Sequence, residues 1–171
     1  MITLSTDRVN ERILDTDPRL EADFPGFGRY GCNARATLGL TESFVGAPLT
    51  LDQLKDALAQ MRNAGLLGPE WAMDQERSFR ETIAIAARLF SRPRVTGEQV
   101  GRVYAAPGDK NRIAFWGGWG SWTACIKHYN SQSVDGHYVE GDRWLRDVFD
   151  PTEGVQITTV REILLYRLEE K

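Results

Sequence analysis

Cys32 is the side chain best placed for covalent chemistry. It stands in the stretch Arg29-Tyr30-Gly31-Cys32-Asn33-Ala34-Arg35-Ala36-Thr37-Leu38. Pro25, Gly26, Gly28 and Gly31 make the approach irregular, while Ala34, Ala36, Leu38 and Leu40 support a helix that begins at or near the cysteine. A thiol in the first turn of a helix faces unpaired backbone N–H groups and the positive end of the helix dipole. Such a position favours the thiolate, the nucleophilic form, when a basic partner is near. The plain alternative is a small buried apolar residue, a common fate of free cysteines. The chain has two histidines to offer as the partner, His128 and His137. Asp142, Asp147 and Asp150 follow as carboxylates able to orient a ring.

Metal chemistry has little to rest on. Cys125-Ile126-Lys127-His128 is the sole Cys-x-x-His, and it lies in an alternating segment that reads as a strand. Positions three apart on a strand point to opposite faces, so the pair does not converge on one ion. No metal and no cofactor is expected.

The elements that must position these groups divide the chain in two. Residues 1–28 read as a polar arm with Pro18 and Pro25, and residues 29–105 as mainly helical. The helix from Cys32 is expected to end near Phe44-Val45-Gly46. Thr50-Leu51-Asp52-Gln53 fits a capping box, and Leu51, Leu54, Leu58 and Met61 follow at helical spacing up to Gly65. Pro69 is a candidate start for a further helical segment. Asp74 to Phe90 is the longest helical pattern, with Phe79, Ile83, Ala86, Ala87 and Phe90 as its apolar stripe and Pro93 as its stop. Thr96-Gly97-Glu98-Gln99 reads as the cap of one short helix.

Residues 106–171 read as mainly β. Arg112 to Trp116 and Trp122 to Tyr129 alternate, His137-Tyr138-Val139-Glu140 follows a loop, and Gly141-Asp142 turns the chain. Leu145 to Phe149 suits a short strand ending at Asp150-Pro151. Val155 to Leu168 has helical spacing in its second half, but its β-branched start tips it toward strand. Helices first and an antiparallel sheet second make one α+β domain over residues 1–171. Its order is cysteine on an early helix, histidine on a later strand, carboxylate at the end of the next.

Composition narrows the function classes. At 171 residues the chain can bury a sizeable core, and 42% hydrophobic with 26% charged residues is ordinary for a soluble globular protein. A net charge of −3 argues against a general nucleic-acid binder. Met1 to Asp7 has no secretion-signal pattern, and no run is apolar enough for a membrane span. Two cysteines far apart make no disulfide framework. A reducing cytoplasm is the expected setting.

The order of groups resembles the papain-like cysteine peptidase superfamily, nearest to small bacterial and phage proteins beside the bacteriocin-processing peptidases. The residues that carry the resemblance are Tyr30-Gly31-Cys32, Gly136-His137-Tyr138-Val139 and Val148-Phe149-Asp150-Pro151. In that family a Gly-Cys at a helix start gives the nucleophile, a His at a strand start the base, and an Asp-Pro segment the orienting carboxylate. The resemblance therefore implies a papain-like fold and the roles of Cys32, His137 and Asp150. It also implies a peptidase or amidase working through a thioester on peptide, protein or peptidoglycan-peptide substrates. A phage-encoded relative would work in the virion or the host cytoplasm.

The chain departs from the family at one point. Papain-like enzymes usually carry a glutamine just before the cysteine as an oxyanion donor, and residues 24–31, Phe-Pro-Gly-Phe-Gly-Arg-Tyr-Gly, hold none. The Cys32 backbone N–H, Arg29 and Tyr30 are the nearest substitutes. The alternative function is thus a catalytically inactive papain-like module for binding or assembly. The wall-amidase signature Asp-Cys-Ser-Gly is absent as well. Trp116, Trp119 and Trp122, set among glycines, present flat indoles that suit either a substrate wall or the closure of a core hairpin.

Overall fold

The computed structural model describes residues 9–104, 122–132 and 136–171. Trp116, Trp119 and the expected strand Arg112 to Trp116 lie outside the described residues. Among the described residues, five α-helices precede or abut a five-stranded sheet: α1 Pro18–Asp23, α2 Phe27–Tyr30, α3 Cys32–Val45, α4 Leu51–Asn63 and α5 Gln75–Leu89. The strands are β1 Val95–Tyr104, β2 Ala124–Ser131, β3 His137–Asp142, β4 Asp147–Phe149 and β5 Ile157–Glu170. They run in the order β1-β5-β2-β3-β4, every pair antiparallel. The class is α+β.

α3 is the axis of the molecule. Every residue from Cys32 to Ser43 is buried. A helix covered on all sides must present apolar residues in more than one direction, and α3 supplies them to two cores. Ala34 and Leu38 join Phe24, Phe27, Leu54, Leu58 and Trp71 between the helices. Ala36 and Leu40 join Phe79, Ile83, Ile126, Leu164 and Tyr166 between helices and sheet. The sheet's other face carries Trp122, Cys125, Ile163 and Leu165. Cys125, Ile163 and Leu165 alternate along β2 and β5 with the residues that face the helices.

α4 carries the capping box, with Thr50 Oγ1 accepting from Gln53 N–H and Gln53 Oε1 accepting from Thr50 N–H. Three expectations fail. Thr96 to Gln99 lies inside β1, because this stretch pairs with Tyr166 to Glu169 of β5 and the ladder outweighs a local capping pattern. The sheet therefore begins at Val95, within the part read as helical. Pro69 starts no helix: Leu67 and Met73 form an isolated antiparallel bridge around it, with Trp71 at φ 61°. Gly141-Asp142 belongs to β3, and the turn falls on the next residues, where Leu145 N–H donates to Asp142 O. Residues 1–28 hold α1, the start of α2 and a short 3₁₀ turn at Val9–Glu11. Among the described residues no helix is long and apolar enough to cross a membrane.

Candidate active site

Cys32 is the first residue of α3, and Gly31 closes α2 and opens α3 at once. The glycine is there for want of room. A Cβ at position 31 would lie 2.3 Å from the Phe27 ring and 2.6 Å from the Phe27 carbonyl oxygen, and Phe27 is fully buried. Two helices can therefore abut, and the thiol lands in the first turn, where backbone N–H groups find no acceptor inside the helix. Cys32 is only 9% exposed.

His137 opens β3 after Gly136, whose φ of 95° favours glycine. A Cβ there would also lie 2.7 Å from His128 Nε2. His137 is buried, and its Nε2 lies 2.7 Å from Asp150 Oδ1. Cys32 acts on the same ring, its side chain and its negative charge both raising the imidazole. With Nε2 given to Asp150, Nδ1 is the nitrogen left for sulfur. Burial alone would lower the ring's pKa. The hydrogen bond to Asp150, the Cys32 side chain and the negative charge of both outweigh it, raising the imidazole to about 9. At neutral pH the ring is an imidazolium whose Nε2–H donates to the carboxylate.

Asp150 follows β4 directly, and its Oδ1 also accepts the Thr152 N–H at 3.0 Å. The rival carboxylates are engaged elsewhere. Asp142 accepts from the N–H groups of Trp144 and Arg146 and from Arg146 Nε. Asp147 binds Lys127 Nζ at 2.6 Å and accepts from the Tyr129 hydroxyl at 3.0 Å. His128 is stacked on Tyr138, ring centroids 4.2 Å apart, with Glu162 at 3.5 Å from Nδ1. The structure thus sets His137 against Asp150 and engages His128 with Tyr138 and Glu162.

The other residues read for function fall into different places. Cys125 is fully buried, and that burial pushes its thiol up to about 12. Trp122 is buried in the apolar cluster on the far sheet face, the core use of the two its sequence allowed. Arg29 stacks 5.2 Å from the ring of Tyr30, which is partly exposed. Among the described residues no group of three or more His, Cys, Asp or Glu side chains could hold a metal ion.

Sequence reasoning missed the polar lattice behind these three groups. Arg12 Nη1 binds Glu140 Oε2 at 2.8 Å, Arg12 Nη2 donates to Ser43 Oγ at 2.6 Å, and Ser43 donates to the same Glu140. Arg35 Nη1 binds Glu42 Oε1 at 2.5 Å, and its Nε donates to Ile13 O at 2.6 Å. Both guanidinium groups sit 4.9 Å from the Phe149 ring centroid. Asp15 is fully buried beside the Asp150 turn. The only signal in the sequence was the presence of Arg35 and Glu42 on a helix otherwise rich in Ala and Leu. Compared with protein-family models, curated proteins and solved structures, the chain matches none.

Proposed function

We propose that the protein is a cysteine-dependent hydrolase of amide or peptide bonds with a papain-like arrangement. Cys32 is its nucleophile, His137 its proton carrier and Asp150 the carboxylate that orients the ring. One observation carries the reading: a single buried imidazole lies 2.7 Å through Nε2 from a carboxylate and is raised by the thiol at the start of α3. The Cys32 thiolate attacks the carbonyl carbon, and the carbonyl electron pair moves onto oxygen. As the oxyanion collapses the C–N bond breaks, the amine leaves with the proton from His137, and a thioester remains on Cys32. Neutral His137 then takes a proton from water, whose oxygen attacks the thioester. The C–S bond breaks, the acid leaves, and thiolate and imidazolium are restored. Substrates of this chemistry are peptides, proteins or the peptide part of peptidoglycan.

The second reading is a papain-like binding or assembly module without turnover. It is favoured by the absence of glutamine from residues 24–31, because losing one oxyanion donor costs about 10²–10³ in rate. p-Nitrophenyl acetate separates the two without a known substrate. The hydrolase releases nitrophenolate with an acetyl group found on Cys32 by peptide mass, and then turns over. Cys32→Ala abolishes this and Asp150→Asn slows it strongly, by up to about 10⁴. A parent protein that acquires no acetyl group, or acquires it equally fast as His137→Ala, leaves the binding module.

A further inference from the structure

Residues Arg12 to Asp15 touch all three elements that carry the proposed catalytic groups. Arg12 is paired with Glu140, three residues after His137 on β3. The Ile13 carbonyl accepts from Arg35, three residues after Cys32 on α3. Asp15 grips the turn that holds Asp150 from two sides. Its N–H donates to Pro151 O at 3.0 Å, and its carboxyl accepts the Thr152 hydroxyl at 3.2 Å and 3.1 Å. Thr152 in turn donates its own N–H to Asp150 Oδ1 at 3.0 Å. An unbroken chain of hydrogen bonds therefore runs Asp15–Thr152–Asp150–His137.

We infer that Asp15 is a positioning residue of the Cys32–His137–Asp150 site, holding the Asp150 carboxylate against His137 through Thr152. Burying a carboxyl completely is costly, and a surface turn needs no such partner. Burial raises Asp15 to about 7, against the lowering effects of Thr152, His137 and Arg35, while the Asp150 charge adds to the rise. Its charge thus changes around neutrality, next to a ring that works there. Asp15 does not touch substrate; it acts through Thr152 and Asp150.

The inference rests on the hydrolase reading, and the test keeps the two apart. Two measurements are made on the full chain: the rate of Cys32 alkylation by iodoacetamide from pH 5 to 9, and the NMR titration of the His137 ring. His128→Gln removes the only other histidine signal. Asp15→Ala and Thr152→Val are expected to lower the His137 titration midpoint and to slow alkylation at pH 7 about tenfold or more, as loosened orientation does. Thr152→Ser, which keeps the hydroxyl, restores both. Asp15→Asn keeps an acceptor for Thr152 but never ionises, so it matches the parent at pH 6 and falls behind at pH 8. If Asp15→Ala folds poorly, Thr152→Val and its serine counterpart carry the test alone. An activated parent whose Thr152→Val variant keeps its rate and midpoint within about twofold overturns the positioning role and leaves the hydrolase intact. A parent alkylated no faster than His137→Ala overturns both.

Discussion

At the scale of the residue, the two cysteines and the two histidines form a controlled experiment. Each pair shares a side chain and differs in surroundings. Cys32 sits at a helix start against an imidazole; Cys125 is sealed under the sheet with its thiol pushed up to about 12. Iodoacetamide at pH 7 is expected to label Cys32 and to leave Cys125 unmodified until the chain unfolds, as peptide mass would read. His137→Ala slows that labelling by removing the thiol's partner, whereas His128→Ala costs the stacking on Tyr138 and spares the rate. Faster labelling at Cys125, or the two alanine variants exchanging effects, would remove Cys32 or His137 from its role. The cysteine's place at a helix start was legible in the sequence, since a Gly-rich approach followed by Ala and Leu marks the boundary. Asp15 was not. It is one polar residue among many in residues 1–28, and only the return of the chain at Thr152 gives it a partner.

At the scale of the element, the problem is how a helix reaches the centre of a molecule with its charged residues still aboard. α3 solves it with internal pairing. Arg35 and Glu42 stand two turns apart on one face, both side chains fully buried, and Glu42 also accepts the Leu49 N–H at 2.9 Å. Periodicity revealed α4 and α5 well, because each has one wet face and one dry face. It cannot tell a buried ion pair from a solvated one, so the lattice stayed hidden. Local patterns misled where the sheet won: Thr96 to Gln99 caps no helix because β5 is there to pair with it. At Gly31 the two helices meet without room for a Cβ. Gly31→Ala pushes a methyl into the buried Phe27 ring and the Phe27 backbone, and overpacking of that kind costs about 1–3 kcal/mol. Chemical denaturation is expected to show that loss together with slowed Cys32 alkylation, since α3 can yield only by moving its first residue. Unchanged stability and alkylation would mean α2 moves aside freely.

At the scale of the whole molecule, three segments far apart in sequence meet at one imidazole: the start of α3, the start of β3 and the turn after β4. What the site gains in charge stabilisation it must also contribute to the fold, because protonation and folding are linked. The His137 ring, ordinarily at 6.5, stands at about 9 in the folded protein, held there against burial by Asp150 and Cys32. Between these values the folded chain binds a proton that the unfolded chain has already lost. The imidazolium's contribution is therefore complete below pH 6.5 and disappears as pH rises toward 9. The difference in unfolding free energy between the parent and His137→Ala should accordingly shrink across that window, by a few kcal/mol in order of magnitude. Urea unfolding at half-unit steps from pH 6 to 9.5 reads it directly. A difference that stays level would place the ring at its ordinary value, and one that grows would mean that burial prevails over Asp150. Either result would remove the charged pair on which the proposed chemistry depends.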